Sequence, residues 1–205
     1  KGKMYIPAHF KIKETAEIRT FVKAHPFGML LSNGSQVPGV THLPLQLMTD
    51  EEGKDSINIH LSKANPHANT LKDGESVVAV FLGTNGYISP RWYAAKDNVP
   101  TWNYTAVHAF GRLRKIEKEA ELMKLVDQLT IEHEEGAESP WRADWSVEKI
   151  RKMLNAIIGF EMKVERWEGK KKIGQNRSAE DQASLKRNLE KSADPAYQFL
   201  AQQMK

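Results

Sequence analysis

The sequence contains no cysteine. Disulfides, thiolate zinc sites, cysteine-ligated iron–sulfur clusters and a cysteine nucleophile are therefore excluded. Long apolar runs are also missing. Stretches such as Val77–Leu82 fall far short of the ~20 residues of a membrane-spanning helix, so none is expected. Lys1-Gly2-Lys3-Met4-Tyr5 lacks the apolar core and cleavage site of a secretory signal. Met4 reads as the natural start, and the expectation is a cytoplasmic protein. There is no Gly-x-Ser-x-Gly elbow, no Walker loop and no Gly-x-Gly-x-x-Gly fingerprint, which leaves α/β-hydrolase, nucleoside triphosphatase and Rossmann readings without support. The seven histidines include no i, i+4 pair of the helical zinc type, so no metal site is expected.

What is present is a chain of 205 residues, 40% hydrophobic and 27% charged, long enough to bury roughly 70% of its unfolded surface. Its charge is uneven. Residues 170–205 hold eight basic and four acidic side chains, which is the whole formal net charge of +4. Such a tail suits phosphates, whether of a nucleic acid or of a small cofactor, and equally suits a solvated helix.

Periodicity organises the chain. A first helix capped by Thr15 closes before His25-Pro26. Phe27–Ser32 and Val37–Leu47 read as strands about an Asn33-Gly34 turn. Ser56–Ser62 follows, and a hairpin across Asp50–Asp55 would place His42, Gln46, Asn58, His60 and Ser62 on one polar surface. Asn65 caps a short helix at Pro66–Asp73, stopped by Gly74. Ser76–Leu82 is a strand, Gly83–Gly86 a turn, Tyr87–Tyr93 a short strand and Trp102–Ile116 a long one. Glu117–Glu135 and a helix capped by Ser146 and stopped by Gly159 precede a return strand through Phe160, Met162 and Val164. Ser178 with Asp181 resembles a capping box, and Pro195 opens a last helix. Strands in hairpin order with helices grouped later predict a mainly β protein, an antiparallel barrel with C-terminal helices. The expected division is a barrel domain over 1–169, with inserted helices at about 117–158, and a basic helical extension over 170–205 that packs on the barrel or on a dimer partner.

Two segments carry candidate chemistry. His60-Leu61-Ser62-Lys63-Ala64-Asn65-Pro66-His67 ends a strand in a hydroxyl and an ammonium and then opens a helix, which gathers donors where a phosphate would settle. The alternative is that Ser62 and Asn65 only cap the helix and Lys63 is solvated. Tyr87–Tyr93 and Val99–Tyr104 concentrate five aromatic rings, fitting a cofactor wall, an oligomer interface or the packing of a barrel rim.

Several motifs, taken in order, resemble the PaiB family: Met4-Tyr5-Ile6-Pro7 with His9-Phe10, His42-Leu43-Pro44-Leu45, Asn65-Pro66-His67, Tyr87-Ile88-Ser89-Pro90 with Trp92-Tyr93, Val99-Pro100-Thr101-Trp102-Asn103-Tyr104, and Gly174-Gln175-Asn176-Arg177. The resemblance implies an FMN-binding split β-barrel like that of pyridoxamine-phosphate oxidases and flavin reductases, usually a homodimer with flavin at the subunit interface. For the family's founding member it implies negative regulation of sporulation and protease production. By the same resemblance Ser62 and Lys63 match the phosphate position, and Thr41, His42 and Leu43 fall on the strand that edges the isoalloxazine. Trp167, Gly169 and Arg177 match a carboxyl-terminal pattern near the flavin. Two departures stand out. The basic doublet before the helix is reduced to Lys63, and the arginine that binds phosphopyridoxal in the oxidases is replaced by Ile173, which argues against that oxidase reaction.

The sequence thus supports an FMN-binding split-barrel homodimer, with a flavin-dependent oxidoreductase activity as one reading. A second reading is a transcriptional repressor acting on nucleic acid directly or through a regulatory partner, although no helix-turn-helix or arginine-rich arm is evident. A third is haem in the same pocket, ligated by His42, His60, His67 or His108.

Overall fold

The computed structural model describes residues 2–204. Its contacts divide the chain into two compact units, one made of residues 2–25, 81–108 and 167–204, the other of 26–80 and 109–166. Among the described residues seven strands form one antiparallel sheet in the order β2-β1-β5-β6-β7-β4-β3. These are β1 (Phe27–Ser32), β2 (Gly39–Pro44), β3 (Gln46–Thr49), β4 (Asp55–Ser62), β5 (Ser76–Ile88), β6 (Thr101–Ile116) and β7 (Ile157–Lys172).

The second unit holds β1 to β4. The single strand expected over Val37–Leu47 is two strands, because Pro44 has no N–H with which to continue a ladder. Leu45 between them is fully buried, and its N–H donates to the Pro26 carbonyl at 2.8 Å. The break sends β2 to β1, with His42 opposite Met29, and β3 to β4, with Gln46 opposite Asn58. Two strands adjacent in the chain thereby lie at opposite ends of the strand order, the connection that closes a barrel. Of the polar row expected across β4, Gln46 and Asn58 are hydrogen-bonded neighbours at 3.3 Å, whereas His42 stands on β2 at the other end of the order. Leu30, Ile57, Ile59, Phe160 and Met162 fill the core. Helices α3 (Glu119–Glu134) and α4 (Glu148–Leu154) pack Leu122, Leu125 and Leu154 on Ile116. Ser146 does not cap α4. It bonds Asp144 instead, and Val147 holds the cap position. Nor does Gly159 stop that helix: it lies in β7, where a Cβ would come within 2.7 Å of Leu122.

In the first unit, the turn expected at Gly83–Gly86 is uninterrupted strand. These glycines serve close approach, since a Cβ on Gly83 would meet the Phe21 ring at 2.8 Å and one on Gly86 the Tyr197 ring at 2.6 Å. Helix α1 (Thr15–Ala24) buries Ile18 and Val22 and ends before Pro26, with Thr15 its first residue and Glu14 at the cap. Helices α5 (Ala179–Glu190) and α6 (Pro195–Gln202) bury Leu185, Leu189 and Leu200 against Ile88, Tyr93 and Ile173. Ser178 accepts the Asp181 N–H at 3.1 Å, the expected cap. The Asp181 carboxylate does not close the box and turns to the 94–98 loop, accepting from Ala95 N–H at 3.0 Å and Asn98 at 3.1 Å. Those bonds hold its carboxyl below the usual carboxylate range.

Candidate cofactor site

In the second unit the end of β4 runs through Lys63-Ala64-Asn65 into α2 (Pro66–Thr70). Asn65 Oδ1 accepts the His67 N–H at 3.0 Å, the expected cap. Its amide Nδ2 donates to Thr41 Oγ1 at 3.1 Å. Thr41 Oγ1 also lies 2.8 Å from His67 Nδ1, and Ser32 Oγ lies 2.9 Å from His67 Nε2. Burial lowers the His67 pKa against the opposing field of Glu75, favouring the neutral ring. A neutral imidazole offers one donor and one acceptor, and both nitrogens are used here. Gly39 makes this possible: a Cβ there would stand 2.5 Å from the ring. The hub Ser32–His67–Thr41–Asn65 locks β1, β2 and α2 together, and it takes His67 out of contention as a haem ligand.

Around that hub lie the residues that sequence alone singled out. Thr41 belongs to it. His42 is exposed and Leu43 buried, on neighbouring positions of β2. Ser62 and Lys63 are exposed at the junction. Ser62 Oγ accepts the Ala64 N–H at 3.2 Å, and the Lys63 N–H donates to the Ala156 carbonyl at 2.8 Å, which fixes the backbone while leaving the ammonium unpaired among the described residues. Among the described residues no three metal-binding side chains cluster.

The first unit holds Trp167 and Arg177. Trp167 is half-buried, its ring 6.5 Å from that of Phe81. The Arg177 guanidinium stands 5.0 Å from the centre of the buried Tyr93 ring. It makes no ion pair with Asp181, whose oxygens are taken by the 94–98 loop.

Strand alternation brings two further cations to this unit. Lys170 is only 7% exposed. Its ammonium donates to the Tyr5 carbonyl at 3.1 Å and lies 5.4 Å and 5.2 Å from the Tyr5 and Tyr104 rings. Lys172 donates to Thr101 Oγ1 and lies 6.0 Å from the Phe10 ring. Its pKa is lowered by burial and then by the like charges of Lys170 and Arg177. Neither these lysines nor Arg177 has a carboxylate within ion-pair distance among the described residues, whereas Lys171 reaches Glu17 at 3.4 Å. Glu168, on the same strand, accepts the Met4 N–H at 2.7 Å. Sequence reasoning placed Lys170 and Lys172 in the basic helical extension and gave them no site role; the signal was the i, i+2 spacing of Glu168, Lys170 and Lys172. Nearby Tyr87 and Trp102 meet edge-on at 6.4 Å with 43% and 53% of their surfaces exposed.

Three cations among aromatic rings, none in an ion pair among the described residues, fit a flat ligand that carries negative charge, which describes FMN: a phosphate dianion and an isoalloxazine that becomes anionic on reduction.

The comparisons agree with that chemistry. The "Putative FMN-binding domain" family model matches residues 4–166. The chain is 34% identical over 205 residues, 98% of its own length and 96% of the relative's, to "Protease synthase and sporulation protein PAI 2" of Bacillus subtilis. An uncharacterized protein of Saccharomyces cerevisiae, YKL070W, is 28% identical over 64% of this chain and 91% of its own. The fold is that of the FAD and haem binding protein of Mycobacterium smegmatis, with a TM-score of 0.63, 16% identity, and coverage of 85% of this chain and 78% of that one. The flavocytochrome Anf3 of Azotobacter vinelandii superposes with a TM-score of 0.61 at 16% identity, covering 80% and 69%. The chain therefore belongs to the FMN-binding family of PAI 2, built as a split barrel, and FMN is the cofactor that this membership assigns to it.

Proposed function

We propose that the protein is a homodimeric FMN-dependent redox protein. The observation that carries this reading is the cluster of Lys170, Lys172 and Arg177. Like charges held together out of bulk water disfavour one another, and an anionic cofactor relieves that repulsion. When bound, FMN supplies the electron transfer. The residues of the chain bind and orient it. Lys172 and Arg177 stabilise negative charge on the ligand, and Tyr104 and Trp102 offer apolar ring surface. In the second unit, taken by itself, Ser62 and Lys63 expose a hydroxyl and an ammonium, the groups that suit a phosphate. No side chain is required as a nucleophile. Tyr87 and Trp102 form the surface that a second copy would cover, as aromatic residues do in interface cores.

A regulatory role rests on the name of the Bacillus subtilis relative. Lys170, Lys171 and Lys172 of the basic tail belong to β7, and Lys186 donates to the Met204 carbonyl. The deciding measurement is the absorption spectrum of the purified protein. A band near ~450 nm releasable as FMN supports the reading, and an intense band near ~400 nm would assign the site to haem.

A further inference from the structure

We infer that the first unit carries a second, separate binding site for a small neutral heteroaromatic molecule with a ring N–H. The site is a cavity of about 350 Å³ beside α1 and α6, within the size range of small-molecule pockets. Ile12, Phe21, Phe199 and Leu200 give it apolar walls, and Thr105 and His25 supply polar groups.

His25 sets the chemistry. Its ring stacks on Phe21 with centroids 4.3 Å apart and planes 24° from parallel, forming a flat aromatic wall. Gly83 permits that wall to lie against β5, where any larger residue would strike Phe21. His25 Nδ1 is 2.9 Å from the Phe21 carbonyl oxygen. A carbonyl only accepts, so Nδ1 carries the hydrogen, and in the neutral ring Nε2 is left as a lone-pair acceptor. Nε2 has no partner among the described residues. The two charges at the cavity, Lys171 and Glu17, pair with each other at 3.4 Å, so the ligand need bring no charge.

The test is calorimetric titration of the FMN-loaded full chain with indole and with 1-methylindole, which lacks the N–H. Indole should bind, and His25→Phe, which keeps the stacked ring and removes Nε2, should weaken it about 3- to 10-fold, the effect of one neutral hydrogen bond, while changing 1-methylindole less than about twofold. Thr105→Met should fill the cavity and weaken both ligands, with Thr84→Met as the replacement if the first variant does not fold. Absence of indole binding, equal loss of both ligands in His25→Phe, insensitivity to the filling variant, or loss of indole binding whenever FMN is loaded would each overturn the separate site, the last by making the cavity the seat of the flavin itself.

Discussion

Replacing Lys172 by methionine separates a cation kept for a ligand from one kept for the fold. Methionine retains most of the length of the aliphatic stem and removes the charge that stands 6.0 Å from the Phe10 ring. In the protein without ligand two effects compete. Thr101 loses its partner, a loss of about 0.5–1.5 kcal/mol. Against that, the like-charge repulsion from Lys170 and Arg177, and the partial burial that lowers the Lys172 pKa, both disappear. These are terms of the same order near ε ≈ 20. The melting temperature without FMN should therefore stay within about 3 °C of the parent, on the scale of 2–4 °C per kcal/mol for a chain of this size. FMN affinity should move far more. Losing a charge-assisted bond to a phosphate or an anionic ring costs about 1.5–3 kcal/mol, or roughly 10- to 150-fold. Fluorescence-quenching titrations with FMN and riboflavin, beside calorimetric melts, read both quantities. A drop of many degrees with an unchanged FMN affinity would refute the reasoning and return Lys172 to a structural role. The sign of the pH dependence follows as well. A lysine whose folded pKa is depressed is disfavoured while both states are charged, and the penalty is relieved as pH rises from the lowered folded value toward the ordinary ~10.4. The unliganded parent should gain stability over that window relative to the methionine variant.

Lys63→Ala should weaken FMN more than riboflavin if its ammonium meets the phosphate, and equal losses in parallel titrations would remove it from that role. Thr41→Val leaves His67 Nδ1 and Asn65 Nδ2 without their shared partner, so it should destabilise the fold by about 1–3 kcal/mol in urea; a neutral outcome would show that the hub is not structural. His67, His60 and His108 all have burial-lowered pKa values, so stability should be full above the unfolded value of ~6.5 and fall as pH drops below it, with a shallower loss in His67→Gln. Trp102→Ser with Tyr87→Ser should shift a dimer toward monomer in sedimentation velocity, and a parent that sediments as a monomer at micromolar concentration contradicts the interface.

Much of the architecture was legible because period-2 alternation and turn chemistry act locally. Phe27–Ser32 is the strand that its pattern predicts, Asn65 caps α2, and His25-Pro26 ends α1. The errors arose where a residue's partner is distant in sequence. Gly83 and Gly86 have the look of a turn until Phe21 and Tyr197 are known to lie against them. Pro44 within an alternating run signals a break, but only the pairing of His42 with Met29 and of Gln46 with Asn58 shows where each half goes. In the candidate site, the phosphate-like segment drew attention to Ser62 and Lys63 through their spacing, whereas Lys170 and Lys172 were hidden in a charge run. Alternation gives such a run meaning only once β7 is known to continue to Lys172.

The two polar clusters differ in a way that bears on what each is for. The His67 hub is closed: every nitrogen of the ring has a hydroxyl, Thr41 serves two partners, and Asn65 both caps and donates. A closed network specifies a structure and leaves the His67 ring no free nitrogen for a ligand. The group around Lys170 is open. Lys170 gives one bond to a backbone carbonyl, Lys172 one to a hydroxyl, and Arg177 lies against a ring face, and none of the three has a carboxylate within ion-pair distance among the described residues. Three such residues gathered in one unit would be selected against as packing, since apolar residues of similar size would fold there without the repulsion. Their presence together is accounted for if a bound anion completes the network, and this is why binding, more than stability, is the property that substitution at Lys172 should change.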